Sequence, residues 1–114
     1  MAAVTLVEGS DALTHVAVSG RLDAAGVGEV SLRLTSFTVS RRRPAIVDLG
    51  EVTFIASIGI GMLVGIAKAM RSHHLPMAVV VTDPQVSRVL ETAMLAAVFP
   101  IVGTREEALR TIAG

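Results

Sequence analysis

The sequence contains no cysteine, tryptophan or tyrosine, and ten basic against ten acidic side chains leave its 114 residues with zero formal charge. Without cysteine there is no disulfide, no thiolate nucleophile and no cysteine-based zinc site, and nothing points to an oxidising compartment. The three phenylalanines, Phe37, Phe54 and Phe99, are scattered and offer no platform on which nucleobases could stack. Balanced charge gives the chain no field to steer it toward nucleic acid or an anionic membrane, so binding is expected to be local and shape-driven. The longest uncharged run, Val52 to Ala67, falls short of the roughly 20 residues that a spanning helix needs. The opening MAAVTLVEGSD lacks the basic segment and long apolar core of a secretion signal. The expectation is therefore a cytoplasmic protein with no membrane insertion.

What is present is aliphatic: 52% of the residues are hydrophobic and only 3% aromatic, which suits helices packed closely on a sheet. The length fits one domain over residues 1–114. VTLVE and THVAVSG are β-rich runs separated by GSDA, an N-terminal hairpin. From Ala24 to about Phe37, Val27, Val30, Leu34 and Phe37 recur at helical spacing, weakened by Gly26 and Gly28. RRRPAIVDL gives a basic loop and an apolar run ending in Asp48, the pattern of a strand buried on both faces, and Met77 to Asp83 repeats it. With a helix over about Ile58 to Arg71 between them, they form a right-handed βαβ unit. Asp83 is a good N-cap followed by Pro84, and Val86, Val89, Leu90 and Met94 form one stripe. FPIV reads as a short last strand, and Thr104 with Glu107 has the spacing of a capping box before a final helix.

FIASIGIGMLVG, Phe54 to Gly65, poses the functional question, because glycines follow a strand and open a helix. A dinucleotide fingerprint would put its third glycine at Val64, yet Gly65 comes one residue late and no Walker lysine follows. The competing reading is that Gly59, Gly61 and Gly65 let the helix approach its neighbours closely.

IVDLGEVTFIASIGIGMLVGIAKAM resembles the central motif of STAS domains, the fold of bacterial anti-sigma factor antagonists, in which a strand ending in Asp-Leu precedes an Asp-Ser-Ser/Thr-Gly-Leu-Gly segment that opens a helix. VSGRLDAAGVGEV resembles the family's second strand and Gly-x-Leu-Asp turn at Gly20, Leu22 and Asp23, and MAVVVTDPQVSRVLETAMLAAVFPIVGTREEAL resembles the remainder. The resemblance implies an α/β fold: a mixed sheet of four or five strands, an N-terminal hairpin and about four helices. It also implies a module that binds an anti-sigma factor or kinase-fold regulator and is released when the second hydroxyl residue of the motif is phosphorylated. Here that position is Ile58, and the family's aspartate falls on Ala56. Isoleucine cannot accept phosphate, so the expectation is a STAS domain that is not switched there. Ser57 is a substitute acceptor or, more simply, the helix cap. Ile58 either packs at the helix start or, exposed beside Ala56, Ile60 and Met62, enlarges an apolar contact surface. The expected partner surface is Asp23, Ala56, Ser57, Ile58, Gly59, Ile60 and Met62. A second reading is the small STAS subunit of a bacterial lipid-transport complex.

Other candidates are weaker. His73 and His74 beside Arg71 read as a solvated loop, with His15 the remaining histidine. Arg41 to Arg43 are either a solubilising loop or a contact for phosphate or an acidic partner. Asp23 and Asp48 each end a strand, Asp48 in a turn-forming role. No metal, cofactor or catalytic set is assigned, and association of two copies through the Ile58 surface is left open.

Overall fold

A computed structural model describes residues 1–113. In chain order the elements are β1 (Ala3–Gly9), β2 (Thr14–Leu22), α1 (Ala24–Thr38), β3 (Ala45–Ile55), α2 (Ser57–Ser72), β4 (Met77–Val80), α3 (Pro84–Thr92), a 3-10 turn (Leu95–Ala97), β5 (Ile101–Val102) and α4 (Arg105–Ala113). The five strands lie in sequential order. β1 pairs antiparallel with β2, and the other pairs are parallel. This is the expected mixed sheet with its hairpin and four helices.

Alternation along the strands divides the core between the two faces of the sheet. Val47 and Leu49 of β3, with Val79 of β4, join Val27, Val30 and Leu34 of α1, Leu63, Ile66 and Met70 of α2, and Val86 and Leu90 of α3. Ile46, Ala78 and Val80 point the other way, onto Ala108 and Ile112 of α4. Strands covered on both faces read as the continuous apolar runs seen in the sequence.

Several boundaries differ from expectation. β3 does not end at Asp48 but runs 11 residues to Ile55, because β2 pairs along it from Thr14/Ala45 to Leu22/Ile55. Asp48 therefore lies inside the strand, where its Oδ1 accepts from the Gly50 N–H at 2.8 Å next to a register shift against β2. β4 stops at Val80. Met94 does not join the α3 stripe: the helix ends at Thr92, Met94 turns into the left-handed region at φ 59°, and its side chain is 74% exposed. Asp83 does cap α3, accepting from the N–H groups of Gln85 and Val86, and Thr104 Oγ1 accepts from the Glu107 N–H at 3.1 Å at the start of α4.

Candidate functional site

The register that pairs Leu22 with Ile55 brings the next two residues, Asp23 and Ala56, side by side. Each is an N-cap, of α1 and of α2 respectively. The site is thus a pair of neighbouring helix N-termini at the ends of two parallel strands. The first is closed by a carboxylate, since Asp23 Oδ1 accepts from the Gly26 N–H at 2.9 Å. That bond is the main reason the Asp23 carboxyl is held below its usual pKa, with the Arg21 guanidinium, 3.6 Å from Oδ2, adding to it.

The second N-terminus has no such partner. Ala56 offers no side-chain cap, and no acidic residue lies in the first turn of α2. Ser57, expected as the cap, is instead the first helical residue, too far into the turn for its hydroxyl to take the capping position. The helix start is set by distant chain: the Ala56 N–H donates to Leu22 O at 3.0 Å, which anchors α2 to the end of β2. Gly59 is required for that approach, because a Cβ there would sit 2.9 Å from Leu22 O and from Ile55 Cγ1. Gly61 and Gly65 have no such reason, since a Cβ on either meets nothing within 4 Å. Gly59 and Gly61 also lie within the helix, not in a loop before it, so they form no phosphate-cradling turn.

Of the residues singled out in the sequence, Asp23, Ala56, Ser57 and Ile58 meet at the surface, with Ile58 49% exposed. Gly59 is buried beneath them, and Ile60 and Met62 are half-buried and packed on the core. Sequence reasoning missed Phe54 and the α3 residues across a cleft from it. Phe54 is 38% exposed, with the Arg21 guanidinium 4.1 Å from its ring centroid, a contact worth about 0.5–1 kcal/mol at an exposed site. Val89 and Arg88 of α3 border a cleft of about 290 Å3 against Phe54. The signal for Phe54 was hidden by a register shift between Gly20 and Arg21, which turns its side chain outward.

The remaining candidates serve elsewhere. His15 is buried, with Nε2 3.3 Å from Asp48 Oδ2, while Arg105 Nε donates to its Nδ1 at 3.1 Å. That donor fixes the tautomer, leaving the ring proton on Nε2 for Asp48. Arg105 also pairs with Glu8, so a polar chain ties α4 to three strands. Arg41 Nε donates to Thr14 Oγ1 at 2.9 Å, Arg43 lies 3.9 Å from Asp11, and Arg42 Nη1 is 3.2 Å from His73 Nδ1. Among the described residues no group of three or more His, Asp or Glu side chains could hold a metal ion, and no helix is long and apolar enough to cross a membrane.

Comparison with known proteins converges on one family. The STAS domain family matches residues 5–108. A Bordetella bronchiseptica protein provisionally named as an anti-sigma factor antagonist, BtrV, is 24% identical over 98 residues, 86% of this chain and 84% of that protein. The crystal structure of an anti-sigma factor antagonist from Mycobacterium paratuberculosis superposes with a TM-score of 0.84 at 24% identity, covering 98% of this chain and 96% of the other. A provisionally named antagonist from Thermotoga maritima gives 0.83 at 20% identity, covering 98% and 94%. At these identities the two structures speak for the fold.

Proposed function

The chain belongs to the STAS domain family, and on that footing we propose that it is an anti-sigma factor antagonist-like binding module that phosphorylation cannot switch at the start of α2. The observation that carries this reading is the half-exposed Ile58 in the first turn of α2, 49% accessible. A phosphoryl group at that position would add close to two negative charges to a partner surface. Isoleucine has no oxygen to carry one. The proposed contact surface is Asp23, Ala56, Ser57 and Ile58, with Phe54 beside them. Its partner is an anti-sigma factor or kinase-fold regulator, a class supported by the names of the relatives. The role is binding and not catalysis.

The test is a capture experiment from the host's lysate with tagged wild type and Ile58→Asp side by side, the captured proteins being identified by mass spectrometry. A kinase-fold or sigma-associated protein retained by wild type and lost by the variant is the expected result. Incubation of the wild type with that kinase and ATP should add no phosphate. Stoichiometric phosphorylation, on Ser57 or elsewhere on this surface, would overturn the unswitched state, and capture of a transporter ATPase would favour the lipid-transport reading.

A further inference from the structure

A second concave region lies at the far end of α2 (Ser57–Ser72), where Arg71 stands roughly 20 Å along the helix from Ile58. There the C-terminus of α2, the start of β4 and the segment entering β5 enclose a cleft of about 390 Å3, lined by Arg71, His74, Leu75, Met77, Phe99 and Pro100 among others. That volume is within the range of roughly 300–1,000 Å3 typical of small-molecule sites.

The cleft exists because β5 is so short. Its two residues pair with Val79 and Val80 only, and the ladder begins with the Val79 N–H donating to Pro100 O at 2.9 Å. Met77 lies two residues earlier on the same edge, since alternate residues of a strand turn their peptide groups to the same neighbour. Pro100 has no N–H to give the Met77 carbonyl, and the Val98 carbonyl is taken by Arg71 Nη2 at 2.9 Å. On the β5 side the peptide groups of Met77, the first residue of β4, therefore meet the cleft and not a strand, while its mostly buried side chain contributes to the cleft floor.

Apart from the Thr111 hydroxyl, which donates to Glu107 O at 2.8 Å, the polar side chains lining the cleft belong to Arg71 and His74. Arg71 is positioned by its bond to Val98 and forms no ion pair among the described residues. No acidic side chain lines the cleft. His74, beside Arg71, adopts φ 58°. The Leu75 N–H donates to Met70 O and the His74 N–H to Arg71 O, each at 2.9 Å, which is the helix-ending arrangement that favours glycine where His74 stands. A side chain strains the backbone there, and His74 is among the residues lining the cleft.

We propose that the cleft binds a small monocarboxylate with an apolar tail or ring, its carboxylate on Arg71 and His74 and its hydrocarbon against Leu75, Met77 and Phe99. A fixed cation and an N–H donor at one rim, an apolar floor and no competing acid match that class by charge and by lining. None of these residues belongs to the Ile58 surface, so the inference stands independently of the proposed partner binding.

The test is an amide NMR titration of the intact chain with octanoate and, separately, 1-octanol, in wild type, Arg71→Gln and His74→Gly. Octanoate should shift the amides of residues 71–77 and 98–101 saturably, with half-saturation near or below about 1 mM. Octanol and both variants should bind at least about tenfold more weakly, the loss expected for a hydrogen bond to a charged group. His74→Gly should at the same time melt higher than wild type, which separates loss of binding from loss of fold. Absence of saturable shifts at these amides, equal affinity for octanol, or unchanged affinity in both variants would overturn the proposal.

Discussion

Placing a capping group at position 56 tests the geometry of the candidate site directly. In Ala56→Asn the side-chain oxygen would accept from the Ile58 N–H, which lacks an intrahelical partner in the first turn of α2. Replacing alanine by a good N-cap is worth about 1 kcal/mol, and for a chain of this size that raises the melting temperature by about 4 °C. Ala56→Asp adds the same bond and the attraction of the helix dipole, but its charge arrives next to Asp23. Neighbouring strands run ~4.8 Å apart, so the two carboxylates would lie roughly 6 Å from each other, which costs about 0.7 kcal/mol in water. Arg21, 3.6 Å from Asp23, relieves part of that. The aspartate variant should therefore gain only about 0.5 kcal/mol at low salt and approach the asparagine variant at about 0.5 M salt, where the screening length falls to a few ångströms. Urea denaturation of wild type and both variants at two salt concentrations reads every term. If Ala56→Asn gains nothing, the start of α2 is already satisfied or lies elsewhere, and the account of an open second N-terminus fails. If the two variants are equal at low salt, Asp23 is not its neighbour.

The glycines of α2 should separate cleanly: Gly59→Ala should destabilise by roughly 1–3 kcal/mol through the clash with Leu22 O, while Gly65→Ala should stabilise by about 0.5–1 kcal/mol, both read by denaturant melts. The lowered carboxyl of Asp23 contributes stability that is present above its usual value of 3.8 and is lost as pH falls through the folded-state value. Asp23→Asn, which can still cap, should accordingly flatten the acid limb of the stability profile below about pH 4; an unchanged acid limb would count against the Gly26 bond. The double change Ala56→Asp with Ile58→Ser should restore phosphate transfer by a kinase that leaves the wild type unmodified, and mass spectrometry would detect the added phosphoryl group.

Local features of this fold were legible because their causes are local. Asp83 and Pro84 start α3 through bonds spanning two and three residues, and the valine-rich strands read as buried because each is covered on both faces. The errors share the opposite origin. The start of α2 lies one residue before the expected Ile58 because it depends on Leu22 O, 34 residues earlier in the chain, through its bond with the Ala56 N–H. The apolar run of β3 ends at Asp48 because Glu51 and Thr53 interrupt it, and only pairing with the long β2 carries the strand on to Ile55. The His15 ties to Asp48 and Arg105 span 33 and 90 residues, beyond any pattern of spacing. The outward turn of Phe54, whose ring carries the Arg21 guanidinium, follows from a shift of register that no periodicity encodes.

On the proposed reading, the same geometry shows what alanine at 56 and isoleucine at 58 would exchange for a carboxylate and a phosphorylated hydroxyl. The open N-terminus of α2 stabilises negative charge, with the Asp23 carboxylate beside it offsetting part of that, so a phosphoryl group there would be tolerated by the fold while it repels an acidic or apolar partner. With Ala56 and Ile58 in these positions the free end of α2 keeps its unsatisfied N–H groups but presents an apolar side chain to whatever docks. Covering the exposed half of that isoleucine is worth about 1 kcal/mol, roughly a fivefold gain in affinity, and Phe54 can add a comparable amount. Such a contact does not titrate and is little affected by salt. Binding through this surface should therefore vary less between low and high ionic strength than that of any variant in which Ile58→Asp restores a charge, and a steep salt dependence in the wild type would place the contact on its charged residues instead.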